Sequence, residues 1–142
     1  MRADKTVISK LAPLILKLWP DRTLQESEDI AREYICSEEK ALFFLEMDGT
    51  CTGIAMCSLR HDYVEGCESS PVGYLEGIFV DETFRAHGIA KKLCSECEAW
   101  ARSLGCREFA SDCELNNTAS LKFHLAIGFT EENRIICFRK EL

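Results

Sequence analysis

The chain has 142 residues, 46% of them apolar and 29% charged, which is typical of one soluble globular domain spanning residues 1–142. Its formal net charge of −7 disfavours nucleic acid as a partner, because phosphate binding needs a basic face. No apolar run approaches the ~20 residues that cross a membrane, and Lys10 and Lys17 interrupt the one segment that resembles the core of a signal peptide. We therefore predict a cytoplasmic protein without nucleic-acid or membrane partners.

The nine cysteines are odd in number, and several fall inside predicted strands and helices. Because no secretion signal accompanies them, we interpret them as free thiols that act as small apolar residues. Cys94 and Cys97 have the spacing of a metal or redox pair, but they lie in the middle of a predicted helix without a second pair. Packing in the core is the favoured interpretation, and no metal site is predicted.

In the first half of the chain, apolar residues at helical spacing are followed by period-two alternation. Pro20 cannot continue the first helix, and Asp48-Gly49 is typical of a hairpin turn. The elements predicted there are an abbreviated or frayed strand in 1–6, a helix over 8–19, a helix from about Leu24 to Ile35 capped near Asp21 or Thr23, strands over 41–47 and 53–60, and a loop over 61–71.

Acidic residues are concentrated in two segments. Residues 21–48 hold nine Asp or Glu against three Lys or Arg, and residues 61–70 hold three acids with no Lys or Arg. Such a field attracts a polycation, although the first segment also fits a solvated helix surface. Tyr63 among the loop acids indicates either a ligand contact, through stacking or cation–π attraction, or an anchor for the loop. Trp19, at a helix end, belongs either to the core, which its spacing favours, or to a pocket.

The segment 74–90, YLEGIFVDETFRAHGIA, organises the second half of the chain. It reads as a strand over 74–80, a polar loop, and a helix that begins near Gly88 and ends before Gly105. The strand alternates, so one face is predicted to carry Tyr74, Glu76, Ile78 and Val80.

The loop before this helix carries Arg85 and Gly88. The first N–H groups of a helix have no intrahelical partner, and the macrodipole adds positive potential there. A loop of this kind is suited to bind a phosphate, and Gly88 would let the ligand approach the backbone. From the pattern alone, a simple turn role for Gly88 is slightly favoured.

A strand predicted over 106–112 makes 74–112 a β-α-β unit with parallel strands and a right-handed crossover. Ligands of such sheets bind beyond the carboxyl ends of the strands, so we expect Asp112 and the region after Val80 at one site. A helix is predicted from Asn117 to about Ile127, and a final strand over 135–139. The predicted fold class is α/β, with α+β character: a mixed central sheet flanked by helices.

The run Arg85-Ala86-His87-Gly88-Ile89-Ala90 resembles the R/Q-x-x-G-x-G/A signature of the GNAT acetyltransferases, which seat the acetyl-coenzyme A pyrophosphate on this loop. Asn117 followed by Gly128-Phe129 resembles the family's N-x-x-A…G-F segment. The similarity covers nearly the whole chain. Longer runs, at 18–20, 60–64, 66–67, 69–72, 75–80, 105–108 and 110–112, resemble the bacterial aminoglycoside 6'-N-acetyltransferases.

This resemblance implies a GNAT fold and the transfer of acetyl from acetyl-coenzyme A to the 6'-amine of aminoglycosides, giving antibiotic resistance. Similar enzymes are commonly homodimers, so a homodimer is expected. The implied substrate contacts are Trp19, Tyr63, Glu76 and Asp112. The implied acetyl-coenzyme A contacts, with the motif residues included, are Ile78, Phe79, Val80, Arg85, Ala86, His87, Gly88, Ile89, Ala90, Lys91 and Asn117.

An alkyl amine has a pKa near ~10 and arrives as an ammonium, so a carboxylate must accept its proton, directly or through water. Asp112 and Glu76 are the candidate catalytic residues: Asp112 is favoured as base or amine positioner and Glu76 as substrate anchor. Pairing of Glu76 with a neighbouring base is the alternative. Backbone N–H groups around 78–80 would stabilise the oxyanion. Direct amine attack is favoured over a covalent route through Cys113, since no His adjoins that residue in sequence.

Two positions depart from the family pattern. Many members carry a Tyr four residues before the Gly-Phe pair, where this chain has His124; this residue either protonates the leaving thiolate or packs within its helix. Some close relatives carry an acid near the last strand, where this chain has Asn133, whose role stays open.

Two rival functions fit the same residues. One is acetylation of another polycationic amine, such as a polyamine or a protein N-terminus. The other is a non-catalytic acyl-coenzyme A-binding module, which would bind the cofactor without releasing coenzyme A.

Overall fold

The structure is a computed structural model that describes residues Met1–Leu142, and a four-stranded sheet lies at its centre. Its helices are α1 (Ile8–Leu18), α2 (Leu24–Cys36), α3 (Ile89–Ser103) and α4 (Thr118–Ile127), with short 3-10 helices at Lys5–Val7 and Glu82–Phe84. Its strands are β1 (Lys40–Met47), β2 (Thr50–Arg60), β3 (Val72–Val80) and β4 (Phe109–Ser111). None of the helices is both long enough and apolar enough to cross a bilayer.

The strand order is β1-β2-β3-β4, with two antiparallel pairs and a parallel β3–β4 pair. The predicted mixed sheet and the parallel pairing within 74–112 are therefore confirmed. Asp48 and Gly49 have φ values of 51° and 77°, the left-handed conformation that a tight two-residue hairpin requires. The predicted hairpin between β1 and β2 is thus confirmed.

The sheet has an apolar cluster on each face. On one side α1 and α2 contribute Leu11, Ile15 and Ala31, and on the other side α3 contributes Leu93 and Trp100. Three cysteines, Cys57, Cys94 and Cys97, lie in the second cluster with at most 1% exposure. All nine cysteines are free, so the prediction that Cys94 and Cys97 serve as core residues is confirmed.

Two segments that were predicted as strands, 1–6 and 106–112, form only short pairings with the sheet. Residues 1–3 pair with β1 through a bridge between Arg2 and Phe43 and a hydrogen bond from Ala3 N to Leu42 O of 2.7 Å, the frayed strand that was expected. The strand predicted over 106–112 is only three residues long, because the chain leaves the sheet after Ser111.

The strand predicted over 135–139 is wrong for the single chain. Residues 130–142 have no regular structure, and no backbone hydrogen bond joins them to the rest of the protein. An extended apolar segment forms a strand only beside a partner strand, and this chain places none next to it.

The start of α2 is set by a capping box. The Thr23 side chain accepts a hydrogen bond from Glu26 N, and the Glu26 carboxylate accepts one from Thr23 N. Of the two predicted caps, Asp21 and Thr23, the structure selects Thr23. This reciprocal pair satisfies two N–H groups that would otherwise lack a partner.

We expect Thr23→Ala to lower the free energy of unfolding by about 1 kcal/mol, because the first turn of α2 loses its acceptor. Chemical denaturation of the purified variant measures this loss. Thr23→Ser keeps the hydroxyl and should retain most of the stability; an equal loss in both variants would contradict the capping role.

Candidate active site

The site forms where β3 and β4 separate. The two strands share three rungs, of which Leu75–Ser111 is the last, and β3 then continues to Val80 without a neighbour on that edge. Alternate backbone N–H and C=O groups of residues 76–80 therefore face an opening rather than a strand. Such fixed N–H groups can stabilise the negative charge that develops on a carbonyl oxygen during acyl transfer.

A β-bulge controls which side chains of β3 face this opening. Met56 pairs with Gly77 and Cys57 with Leu75, so Glu76 has no partner on β2. Beyond the bulge, Ile78 and Val80 pack with the α3 cluster. The prediction that Ile78 and Val80 share a face with Glu76 is therefore wrong, because the extra residue shifts the alternation by one.

Glu76 is held by two neighbours on β2. Ser58 Oγ donates to Glu76 Oε1 at 2.6 Å, and Arg60 donates from Nε at 3.0 Å and from Nη2 at 2.8 Å to the two carboxylate oxygens. This two-point contact is the strong form of an arginine–carboxylate pair. The negative charge of Glu76 is thus balanced by the Arg60 guanidinium. This is the alternative that the sequence left open, in which Glu76 pairs with a neighbouring base.

Asp112 lies just beyond the end of β4 and receives a hydrogen bond from the Tyr74 hydroxyl at Oδ2. Burial, and then this bond, raise the pKa of Tyr74 well above its ordinary value, so the phenol stays protonated as a donor. The Arg60 guanidinium carbon lies 3.4 Å from the centre of the Tyr74 ring. Glu76 and Asp112 are therefore brought together on one face, through Arg60 and Tyr74.

Trp19 borders both the core and a cavity. It packs against the α1–α2 cluster and lines an open cavity of about 590 Å³, together with Tyr34 of α2 and three acids, Asp21, Glu26 and Glu33. Burial, and then the charge of Glu76, raise the pKa of Tyr34. Tyr34 was missed from the sequence because its helical spacing marks it only as a core residue.

Tyr63 is 79% exposed and makes no anchoring contact, whereas its neighbour Val64 is buried. The loop is fastened instead by Glu108, whose carboxylate accepts hydrogen bonds from Glu68 N at 3.0 Å and Ser69 N at 2.7 Å. The Ser69 bonds lower the pKa of Glu108. Of the two roles considered for Tyr63, the anchor is not seen, and its ring is free to meet a ligand.

The loop before α3 has the backbone of an anion site. Ala86 and Gly88 have φ values of 65° and 71°, and the first intrahelical bond runs from Lys92 N to Gly88 O. The N–H groups of residues 89–91 therefore have no backbone acceptor. A Cβ on Gly88 would meet nothing within 4 Å, so the left-handed backbone, rather than space, requires glycine.

This loop also borders a cavity of about 210 Å³ whose polar lining is Thr52, His87, Lys92 and one acid, Glu46, which forms an ion pair with Lys10. His87 Nδ1 donates to Arg85 O at 2.9 Å, which holds the turn in place. The free N–H groups, the helix dipole and the Lys92 ammonium all favour a negatively charged ligand. The residues present thus fit a diphosphate.

Arg85 and Asn117, two of the predicted acetyl-coenzyme A contacts, form hydrogen bonds within the chain. Arg85 Nε donates to Val80 O at 3.3 Å, linking the loop to the end of β3. Asn117 Oδ1 accepts from Ser120 N at 3.0 Å and so caps α4. That capping bond leaves the Asn117 amide nitrogen as the group that can face a ligand.

The residues with open roles lie around the same region. His124 Nε2 is 2.8 Å from Ser111 Oγ, its Nδ1 donates to Ser120 O at 2.7 Å, and its ring packs against Phe129. Asn133 Nδ2 donates to Glu65 Oε1 at 2.9 Å. Cys113 is exposed. A packing role for His124 is therefore seen, and its role toward a leaving thiolate stays a prediction.

Comparisons with known proteins agree with this geometry. The sequence profile described as the acetyltransferase (GNAT) family matches residues 8–129. An aminoglycoside N(6')-acetyltransferase type 1 of Salmonella typhimurium is 45% identical over 141 residues, covering 96% of this chain and 94% of the relative. Its counterpart from Salmonella enteritidis is 43% identical over the same length, with the same coverage of each chain.

Solved structures are similar throughout the chain. The aminoglycoside N-acetyltransferase AAC(6')-Iy in complex with CoA is 41% identical, with a TM-score of 0.96 over 99% of this chain and 93% of that one. The same enzyme with the bisubstrate analogue CoA-S-monomethyl-acetylneamine has an equal identity and TM-score, over 100% and 97% of the two chains.

Gly77 sets the position of Trp19. A Cβ at Gly77 would lie 2.6 Å from Leu18 Cδ2 and 3.2 Å from Trp19 Cζ2. We expect Gly77→Ala to cost about 1–3 kcal/mol of unfolding free energy, because the end of α1 must move away from β3. Denaturation of the variant measures the cost.

The control is the same change in a Leu18→Ala background, where the closest atom is gone. There we expect a smaller cost, since neighbouring substitutions that share a contact are not additive. Equal costs in the two backgrounds would show that Leu18 does not limit the approach of α1.

Proposed function

The chain belongs to the acetyltransferase (GNAT) family, and from that premise we propose that it transfers the acetyl group of acetyl-coenzyme A to the 6'-amine of aminoglycoside antibiotics, giving resistance. The observation that carries this proposal is the pairing of two features at one opening. These are the carboxylates Glu76 and Asp112 on one face of the sheet, and the unpaired edge of β3 beside them. The relatives at 43% and 45% identity carry the name of this activity.

Acetyl-coenzyme A supplies an activated acetyl thioester when bound. The free N–H groups at the start of α3, with Gly88 and Lys92, would hold its diphosphate. The unpaired edge of residues 78–80 would hold the acetyl oxygen and stabilise the charge that develops there. Fixing both ends sets the position of the reacting carbon, which is a large part of the rate of a two-substrate reaction.

The acceptor amine must lose a proton before it attacks. Asp112 is the favoured acceptor because its Oδ2 is engaged by Tyr74 while its Oδ1 makes no hydrogen bond within the chain. Glu76 is already paired with Arg60 and is better suited to bind a further cationic group of the substrate. One ammonium proton thus passes to Asp112, and the neutral amine adds to the acetyl carbon to give a tetrahedral oxyanion. This intermediate collapses as the C–S bond breaks, and the second proton of the amine nitrogen leaves with the sulfur, so that the products are the amide and the free thiol.

The acidic surroundings fit a polycationic acceptor. The cavity beside Trp19 and Tyr34 is lined by three acids, Asp21, Glu26 and Glu33, and two bases, Arg22 and Lys40, and the exposed Tyr63 ring lies in the acidic loop. A polyamine or a protein N-terminus would also find favourable charge here. The similarity to enzymes named for aminoglycosides, over nearly the whole chain, favours the aminoglycoside.

The proposal is tested by measuring coenzyme A release with an aminoglycoside bearing a 6'-amine beside its 6'-hydroxy counterpart. We expect turnover with the amine alone, because an alcohol at that position is a far weaker nucleophile. Preference for spermidine would favour the polyamine alternative. Cofactor binding without release for any amine would favour a non-catalytic module.

We expect Asp112→Asn to lower kcat/KM by about 10²–10⁴, the usual contribution of a positioned base. Glu76→Gln should mainly raise KM for the aminoglycoside, because it weakens a cation contact. If both variants keep near-wild-type kcat/KM across pH, neither carboxylate transfers the proton.

We also infer that the protein is a homodimer. In residues 134–142, Ile135, Ile136 and Phe138 are 65%, 80% and 92% exposed. Exposed apolar residues grouped in this way mark an interaction surface. The segment contains the continuous apolar run Ile135-Ile136-Cys137-Phe138. A side-chain hydrogen bond from Asn133, just before the segment, to Glu65 joins its base to the body.

The edge of β4 is the matching surface. The β1 edge is covered by residues 1–3, whereas β4 has β3 on one side and no strand on the other. An open edge of this kind pairs readily with an extended segment. The segment 134–142 of each copy would pair with the β4 edge of the other copy, so that both exposed surfaces would be covered.

The proposed location is the cytoplasm, where the nine free thiols would stay reduced.

We expect wild-type protein to have twice the 16.1 kDa mass of one chain by sedimentation equilibrium. Ile136→Asp combined with Phe138→Asp should give one chain, because charges on this segment oppose strand addition. Leu104→Asp, at an exposed apolar residue outside the segment, is the matched control and should stay dimeric. A monomeric wild type, or a dimer that survives the double substitution, would contradict the proposal.

A further inference from the structure

The two carboxylates of the site are linked through two side chains, Arg60 and Tyr74, that exchange no proton in the reaction described above. Arg60 binds Glu76 through two nitrogens, its guanidinium lies 3.4 Å from the Tyr74 ring centre, and the Tyr74 hydroxyl donates to Asp112. The four side chains thus form one continuous arrangement across β2, β3 and the end of β4.

Tyr74 is the fixed member of this arrangement. Its side chain is 6% exposed, packed with Val64 and Val72, and its backbone pairs with Ala110 in the sheet. A buried phenol has two ring torsions, and both are set by packing here. The hydroxyl is therefore presented at one defined point, directly beyond the last rungs of β3 and β4.

Asp112 is at the exposed end of this arrangement. It lies outside β4 and is exposed, and the bond from Tyr74 is the only hydrogen bond that its carboxylate makes within the chain. Without that bond, its side chain would turn freely in solvent. With it, Oδ2 is engaged and Oδ1 is the oxygen left to meet an acceptor amine.

We propose that Tyr74 is a positioning residue for Asp112, and that Arg60 holds the Tyr74 ring and Glu76 in one frame. This inference rests on the proposed function, since it gives Asp112 the role of accepting the amine proton. Tyr74 keeps its own proton throughout. The proton moves from the ammonium to Asp112 Oδ1, while the Tyr74 bond holds Oδ2 and so sets the direction of the carboxylate.

Glu76 has a parallel hydroxyl donor that serves as an internal control. Ser58 Oγ donates to Glu76 at 2.6 Å, as the Tyr74 hydroxyl donates to Asp112. Removal of either hydroxyl changes one hydrogen bond to one carboxylate. A positioning role predicts that each hydroxyl is energetically coupled to its own carboxylate and uncoupled from the other.

The experiment is a pair of crossed double-mutant cycles on kcat and KM for a 6'-amino aminoglycoside. Tyr74→Phe keeps the ring and should lower kcat about tenfold, with KM changed by less than about twofold. In an Asp112→Asn background the same change should have no further effect on kcat. In a Glu76→Gln background it should have its full effect.

Ser58→Ala should show the opposite pattern. Its effect on kcat and KM should be lost in the Glu76→Gln background and retained in the Asp112→Asn background. Thermal unfolding of each variant separates a folding defect from a change in the site. Wild-type kcat in Tyr74→Phe, or an equal loss of kcat with and without Asp112, would overturn the proposal.

A second measurement does not depend on turnover. In protein labelled with ¹³C at side-chain carboxyls, Tyr74→Phe should shift the Asp112 signal and leave the Glu76 signal in place. If no amine is acetylated, the proposed function fails, while this shift still reports whether Tyr74 orients Asp112. An unchanged Asp112 signal would overturn the positioning role in either case.

Discussion

The separation of β3 from β4 after three rungs is the constraint on which the site depends. A longer parallel ladder would pair the backbone of residues 76–80 and leave no N–H group for a carbonyl oxygen. It would also carry Asp112 into the sheet. Because the chain leaves β4 at Ser111, the unpaired strand edge and the Asp112 carboxylate both lie where the two strands separate. Ligand binding beyond the carboxyl ends of parallel strands has the same origin.

The β-bulge at Glu76 adapts this opening to two different ligands. On the α1–α2 face it leaves Glu76 beside Tyr74 and Arg60, where a cation can be bound. On the α3 face it turns Ile78 and Val80 into the apolar cluster. Gly77, the next residue, lets Leu18 and Trp19 approach β3. One inserted residue therefore places Glu76 and Ile78 on opposite faces of the sheet.

Charge is distributed unevenly between the two carboxylates. Glu76 shares its charge with Arg60, whereas Asp112 has one neutral donor, Tyr74. A carboxylate with an uncommitted oxygen is the better proton acceptor, and a carboxylate already in an ion pair is the better anchor for a cationic substrate. The difference between the two proposed roles therefore follows from their partners, since both side chains carry the same functional group.

Local patterns in the sequence were sufficient for the helices, the β1–β2 hairpin, the loop between β3 and α3 and the core cysteines, because caps, turns and periodicity act over a few neighbouring residues. They could not locate the bulge, so the face of Ile78 and Val80 was predicted wrongly. They also could not supply the partners Arg60, Tyr74 and Tyr34, which contact the site across strands or from another helix. The strand expected over 135–139 lacks a neighbour in the chain. Register and long-range contacts depend on how distant segments pack, and only the tertiary structure decides them.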